Sequence, residues 1–230
     1  MLELNPVRVL TVDCYGTLID WEMGIAEAVT RLLDAHAIVA ERDAILELHA
    51  RFESAAQRGS FKPYREVLAE VVDRFGEHYG FEPSATEREA LAGSIAAWPA
   101  FADTVAALGR LAEHYKLAIL SNIDDDLIAP STRRLEVDFE WVVTAQQVGS
   151  YKPAPGHFEA ALERFGVARE QILHVAQSLY HDIGVARELG FATVWVNRRR
   201  DQAGEGATPP AQVVPDLEVP DLASLAALVG

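Results

Sequence analysis

Five short apolar runs punctuate the chain: VRVLTVD (7–13), KLAILSN (116–122), WVVTA (141–145), ILHVA (172–176) and ATVWVN (192–197). They are rich in Val, Ile and Leu, and most end in a small polar or charged residue. Between the later runs lie segments of helical composition, at 124–135, 155–166 and 180–189. The second of these has Pro155 at its start and Gly166 at its end, the usual punctuation of a helix. Continuous apolar strands alternating with amphipathic helices predict a parallel sheet covered on both faces, an α/β fold of the Rossmann-like kind.

The rhythm breaks once. About a hundred residues separate the first run from the second, and none of them reads as a good strand. Segments 22–37, 42–57, 64–79 and 84–97 instead carry apolar residues at three- and four-residue spacing. A crossover between parallel strands needs only a dozen or so residues. The rest is therefore predicted to be an inserted all-helical cap domain over residues 17–98, with WPAF (98–101) as its return hinge. The Rossmann-like core would comprise 1–16 and 99–230, with 103–114 as the helix leading into the second strand. Residues 201–214, polar with Gly and Pro, read as a surface loop, and PDLASLAALVG reads as a short closing helix.

Composition narrows the class of partner. The 230 residues are 50% hydrophobic, enough for one sizeable core, and no apolar stretch nears membrane-spanning length. The N-terminal MLELNPVRVL lacks the basic and apolar regions of a signal peptide, and Cys14 is the single cysteine. A soluble, cytoplasmic protein is expected. A formal charge of −15, from 35 acidic and 20 basic residues, repels nucleic acid phosphates. Neither nucleic acid nor membrane is an expected partner. The expected partners are a small-molecule carboxylate substrate and, at most, a second copy of the chain in a homodimer.

In open parallel sheets ligands bind beyond the carboxyl ends of the strands. Asp13 stands at the end of the first run, Ser121 and Asn122 at the end of the second, and Asp182 beyond the fourth. Lys152 lies in the loop after WVVTA. An acid, a hydroxyl, an amine and a second acid delivered to one edge form a candidate site.

In order and spacing, DCYGT, LSN, YKP and SLYHD resemble the four motifs of the haloacid dehalogenase superfamily. The resemblance extends from about residue 7 to 200 and includes the helical cap after the first motif. Within the superfamily, DCYGTLIDWE, WPAF, LSNID, GSYKP and SLYHD are similar to type II 2-haloacid dehalogenases and to L-azetidine-2-carboxylate hydrolases. The resemblance implies that Asp13 is a nucleophile forming an aspartyl ester, which water then hydrolyses. It implies that Lys152 holds Asp13 ionised and that Asp182 pairs with Lys152 and orients or activates the water. Ser121 would bind the substrate carboxylate, Asn122 would face the leaving group, and Thr17 would bond the Asp13 carboxylate. Gln177, Ser178 and His181 are candidate water or substrate contacts. A cap arginine that holds a halide is expected at Arg51, with Arg65 and Lys62 as competitors.

Tyr15 occupies the place where phosphatases of this superfamily carry a second aspartate as proton donor. An alkoxide leaving group benefits from such a donor. A halide, or a strained ring amine that arrives protonated, does not. Tyr15 therefore points to carbon–halogen cleavage, or alternatively to opening of an azetidine ring at its C–N bond. A Mg²⁺-dependent phosphatase is the remaining alternative, and Mg²⁺ would be its cofactor. Ala176-Gln177 stands where phosphatases commonly have Gly-Asp, so no cofactor and no metal site is the expectation.

Other features have plainer readings. The run Asp124-Asp125-Asp126 is expected to be an acidic first helical turn. Cys14 faces away from its neighbour Asp13 and is expected to pack, and His174 to be a satisfied core histidine. Trp21, Phe61, Tyr64 and Trp98 are candidate apolar walls around the substrate carbon.

Overall fold

A computed structural model describes residues 4–202, 204 and 206–229. Among these residues six strands form one sheet: β1 (Val9–Val12), β2 (Lys116–Ser121), β3 (Trp141–Thr144), β4 (Ile172–Ala176), β5 (Ala192–Val196) and β6 (Leu217–Val219). The order is β3-β2-β1-β4-β5-β6, and every neighbouring pair is parallel. The five expected strands are present within two residues of their expected ends. The three-residue β6, which pairs only with β5, was too short to show an apolar period.

Because β1 lies between β2 and β4, the order reverses there, and a crevice opens at the carboxyl ends of these three strands. Val12 is in register with Ile119 on one side and Val175 on the other. The residues that follow β1, β2 and β4 are therefore brought side by side.

Helices α1 (Trp21–Ala35), α2 (Arg42–Ala56), α3 (Tyr64–Tyr79) and α4 (Ala85–Ser94) fill the long gap, followed by a 3₁₀ turn at Ile95–Ala97 and α5 (Thr104–Ala112). In α1, Ile25, Val29, Leu32 and Leu33 make the buried stripe; in α3 it is Val67, Leu68, Val71, Val72 and Phe75. These stripes turn the four helices on one another, with α1 against α2 and α4, and α3 against α2 and α4. Ser84 and Glu87 form a capping box that starts α4.

The start of α3 is capped from outside. Pro63 has no side chain to offer, and the Tyr64 and Arg65 N–H groups donate to the Asp124 carboxylate at 2.8 and 3.0 Å. Asp124 precedes α6 (Asp125–Arg134). The acidic run thus serves more than its own helix: Asp125 accepts from the Thr144 hydroxyl and the Gln147 amide, and Asp126 pairs with Arg65.

The remaining helices are α7 (Ala145–Val148), α8 (Gly156–Phe165), α9 (Gly184–Glu188) and the closing α10 (Leu222–Ala226). The helix expected at 180–189 is divided: Leu179–Ile183 winds as a π-helical turn before α9. One face of the sheet shares a continuous apolar cluster with the cap helices, in which Leu10, Val12 and Ile119 join Ile25, Leu68 and Phe75. The other face packs Val9, Leu120 and Ile172 on Phe158 and Phe165 of α8. Among the described residues no helix is long and apolar enough to cross a membrane.

One loop departs from its composition. The segment 201–214 reads as surface, yet Ala207 is wholly buried and its N–H donates to Glu22 Oε1 at 3.0 Å. That partly buried carboxylate, also paired with Arg199, draws the loop down onto the start of α1.

Candidate active site

Asp13 directly follows β1, and its N–H donates to Val175 O of β4 at 3.0 Å. The chain then reverses through Gly16, whose φ of +96° favours glycine. A Cβ there would also lie 2.9 Å from Trp21 Nε1. The turn places Thr17 behind the acid: its hydroxyl donates to Asp13 Oδ2 at 2.8 Å and accepts from Gln177 N at 2.9 Å. Arg198, which nothing in the sequence singled out, donates to Thr17 O at 2.9 Å and to Asp103 Oδ1 at 2.7 Å. The turn that follows Asp13 is thus tied to β4, to the loop after it and to the loop after β5.

Lys152 is 1% exposed, and its ammonium spends each of its three protons on a fixed acceptor. Nζ lies 2.9 Å from Asp13 Oδ1, 2.5 Å from Asp182 Oδ1 and 2.8 Å from Leu120 O. Asn122 holds the backbone of Lys152 from both ends of its amide, Nδ2 to Lys152 O at 3.0 Å and Oδ1 from Lys152 N at 2.7 Å. Its amide therefore positions the lysine, and the side chain also lines the cavity. His174 is satisfied, as a core histidine should be, but by functional partners: Thr11 Oγ1 at 2.9 Å and Asp182 Oδ1 at 3.1 Å.

Burial and charge pull these groups in opposite directions. Burial raises the Asp13 carboxyl above its ordinary value, and the Lys152 ammonium only partly offsets this. Asp182 is buried as deeply, but Lys152 and His174 hold it well below the carboxylate range. Burial alone would depress Lys152; the two carboxylates more than reverse it and keep the ammonium charged. Two carboxylates and one ammonium leave the trio with one surplus negative charge.

These groups open onto a cavity that Ser121, Asn122, Gln177, Ser178 and His181 also line. Burial pulls His181 down to about 4, so its ring is neutral near pH 7. Tyr15 lines the cavity as well, with its hydroxyl 2.9 Å from Ser131 Oγ and its ring edge-on to Trp98 at 5.7 Å. Burial carries the Tyr15 phenol well above 10.

The cap supplies the opposite wall, with Trp21, Glu53, Gln57 and Tyr64, and Thr208 comes from the loop after β5. Glu53 is 4% exposed, and Tyr64 Oη donates to its Oε1 at 2.5 Å. Burial pushes this carboxyl up to about 7, against the pull of the Tyr64 hydroxyl.

The structure therefore gathers Asp13, Tyr15, Ser121, Asn122, Lys152, Gln177, Ser178 and Asp182 around one cavity, with Thr17 behind Asp13. It does not bring Arg51 there. Arg51 is exposed, stacks over Phe52 at 5.0 Å and borders a separate outer groove with Glu47 and Arg58. The competing cations are elsewhere too: Arg65 reaches Asp126, and Lys62 pairs with Glu70. Of the expected aromatic walls, Trp21 and Tyr64 reach the cavity, while Phe61 packs on Tyr151 at 5.3 Å and Trp98 on Tyr15. Glu53, Gln57 and Thr208 were missed. Glu53 had one signal: it continues the buried stripe Leu46, His49, Ala50 of α2 at helical spacing, an acid where apolar residues belong.

A sequence model of haloacid dehalogenase-like hydrolases matches residues 7–190. The chain belongs to this family. It is 26% identical over 202 residues to (S)-2-haloacid dehalogenase 4A of Burkholderia cepacia, covering 85% of each chain. It is 29% identical over 227 residues to the (S)-2-haloacid dehalogenase of Pseudomonas sp. strain YL, covering 91% of each. Among solved structures, the L-2-haloacid dehalogenase of Xanthobacter autotrophicus with chloropropionic acid covalently bound superposes with a TM-score of 0.82. That likeness covers 97% of this chain and 98% of the other at 22% identity, and speaks for the fold. As a haloacid dehalogenase-like hydrolase the chain is an enzyme. Its candidate site joins strand-end side chains to a carboxyl group, Glu53, on the cap side.

Proposed function

We propose that the chain hydrolyses the carbon–halogen bond of a small 2-haloacid by way of a covalent ester on Asp13. The observation that carries this reading is the buried Lys152 ammonium, fixed at 2.9 Å from an acid that ends the central strand and opens onto the cavity. Burial makes the Asp13 carboxylate more basic than a solvated one, while Lys152 and Thr17 oppose that rise and hold the group in place. In the first step an Asp13 oxygen bonds to the substrate carbon as the carbon–halogen pair departs with the halide. Ser121, at the edge of the cavity, is placed to take the substrate carboxylate.

Water then attacks the ester carbonyl carbon, releasing the 2-hydroxy acid and restoring the Asp13 carboxylate. Asp182 and His181, which share the cavity wall, are the groups available to take the proton of that water. Tyr15, held against Ser131 with its phenol above 10, is a poor acid, which suits a halide and not an alkoxide. The donor set also fits Mg²⁺ poorly. A Mg²⁺ site draws on carboxylates with water and phosphate oxygens. Here both carboxylates already converge on Lys152 Nζ, and Gln177 stands where a further acid would help.

The test is a single turnover in ¹⁸O-water with chloroacetate and both 2-chloropropionates, followed by mass analysis of the Asp13 peptide. Halide release with label in Asp13 is the expected result. No halide from any of the three, or label confined to product while Asp13 stays unlabelled over repeated turnovers, overturns the reading.

A further inference from the structure

As Asp13 forms the ester its negative charge passes to the halide, which in an in-line displacement departs on the far side of the carbon from Asp13 and its Lys152 partner. Among the described residues lining the cavity, Lys152 is the sole lysine or arginine, and its three protons are committed. The site therefore needs another donor for the leaving group. On the cap wall, Glu53 Oε1 accepts from Tyr64, whereas its second oxygen has no protein partner among the described residues and the side chain borders the cavity. We propose that Glu53 is the leaving-group residue of this enzyme, acting as a neutral carboxylic acid whose Oε2–H donates a hydrogen bond to the departing halide.

No proton moves in this step. The carbon–halogen pair leaves with the halide, the Asp13 oxygen supplies the new bond, and the Glu53 O–H remains covalently intact while it solvates the anion. A dry neutral donor in such a place stabilises developing charge more than it would in water. The inference rests on the carbon–halogen reading for its leaving group.

The chemistry requires the acid to be protonated, and the surroundings favour that. Burial places Glu53 near 7, so it is substantially neutral at and below that pH. The other titrating groups around it do not change charge in the same range. Tyr64 on α3, with Tyr15 and Tyr151 from the core, is pushed above 10. His49, one turn earlier on α2, and His181 across the cavity lie at about 4. In the Lys152 cluster the ammonium is raised and Asp182 lowered, which leaves Asp13 to set the acid limb.

The experiment is the pH profile of kcat/KM for chloroacetate in the parent, Glu53→Gln and Glu53→Ala, paired with ³⁵Cl line broadening as a measure of chloride binding without turnover. In the parent both signals fall about tenfold per pH unit above about pH 7. Glu53→Gln keeps an N–H donor that cannot ionise, so its alkaline limb disappears. Glu53→Ala loses at least about tenfold at every pH. An unchanged alkaline limb in Glu53→Gln, or parental rates in Glu53→Ala, overturns the proposal; if the alanine variant does not fold, the glutamine profile decides alone. A parent that releases no halide while its chloride signal vanishes above about pH 7, with the signal retained in Glu53→Gln, would sink the carbon–halogen reading and leave the Glu53 anion site standing.

Discussion

The two walls of the cavity are built on opposite principles. On the core side the charged groups hold one another: Lys152 has three acceptors, Asp13 is held by Lys152 and Thr17, and Asp182 by Lys152 and His174 at Oδ1. On the cap side Trp21, Gln57, Tyr64 and Glu53 include no cation, and among the described residues Glu53 has a partner at one oxygen alone. The first wall is a preorganised charge array that fixes the Asp13 carboxylate. The second is a nearly neutral surface. The difference teaches that the sheet ends supply the charged groups of the cavity, whereas the helices between β1 and β2 supply its uncharged side.

The largest expected effect comes from breaking the charged wall. Lys152→Met leaves two buried carboxylates facing one another and should cost about 3–5 kcal/mol of stability near neutral pH. Both acids then take up protons more readily, so the loss should shrink as pH falls, and the acid limb of any remaining activity should move to higher pH. Chemical denaturation at several pH values, with kcat/KM profiles, measures both. A loss independent of pH would mean that the lysine acts by packing.

A smaller effect of opposite sign is expected at the neutral wall. The carboxyl of Glu53 goes from its ordinary 4.5 to about 7 in the folded protein. The folded chain therefore retains a proton that the unfolded chain releases. The stability this confers is complete below about pH 4 and is lost as pH rises through about 7, amounting to about 3 kcal/mol across the window. Glu53→Gln cannot ionise, so it should melt above the parent at about pH 8 and show little advantage near pH 5. Equal melting at both pH values would show that Glu53 is solvated.

The smallest effect is expected outside both walls. Arg51→Ala should change stability by less than about 0.5 kcal/mol and kcat/KM by less than about twofold, because the guanidinium is exposed and borders another groove. A tenfold rise in KM for haloacid would place Arg51 in the substrate path and erase the contrast between the walls.

These contrasts also explain what could be read from the sequence. Strand ends are a one-dimensional signal: once the apolar runs were placed, a parallel order carried Asp13, Ser121 and Lys152 to one edge. The cap wall depends instead on helix rotation. Arg51 and Glu53 are two residues apart, and at 3.6 residues per turn that separates their side chains by about 200°. Loose alignment of α2 picked the cation on the outer face and passed over the acid on the inner one. The loop 201–214 misled for another reason, since its polar composition describes solvent and not the partly buried Glu22 carboxylate that binds Ala207 N–H. The division of the helix after β4 into a π turn and α9 left no apolar trace.

The clamp of Asp124 on the start of α3 bears on how such a molecule can change through descent. Both bonds are to main-chain N–H groups, of Tyr64 and Arg65. Any residue but proline at those positions offers the same donors, so the seating of the helices on the sheet is blind to their side chains there. Mutation is then free to try new residues at 64 and along the facing stripe of α2 while Asp13 and its Lys152 ammonium stay in place. A lineage carrying this latch can change the side chains around its cavity without relearning how to fold.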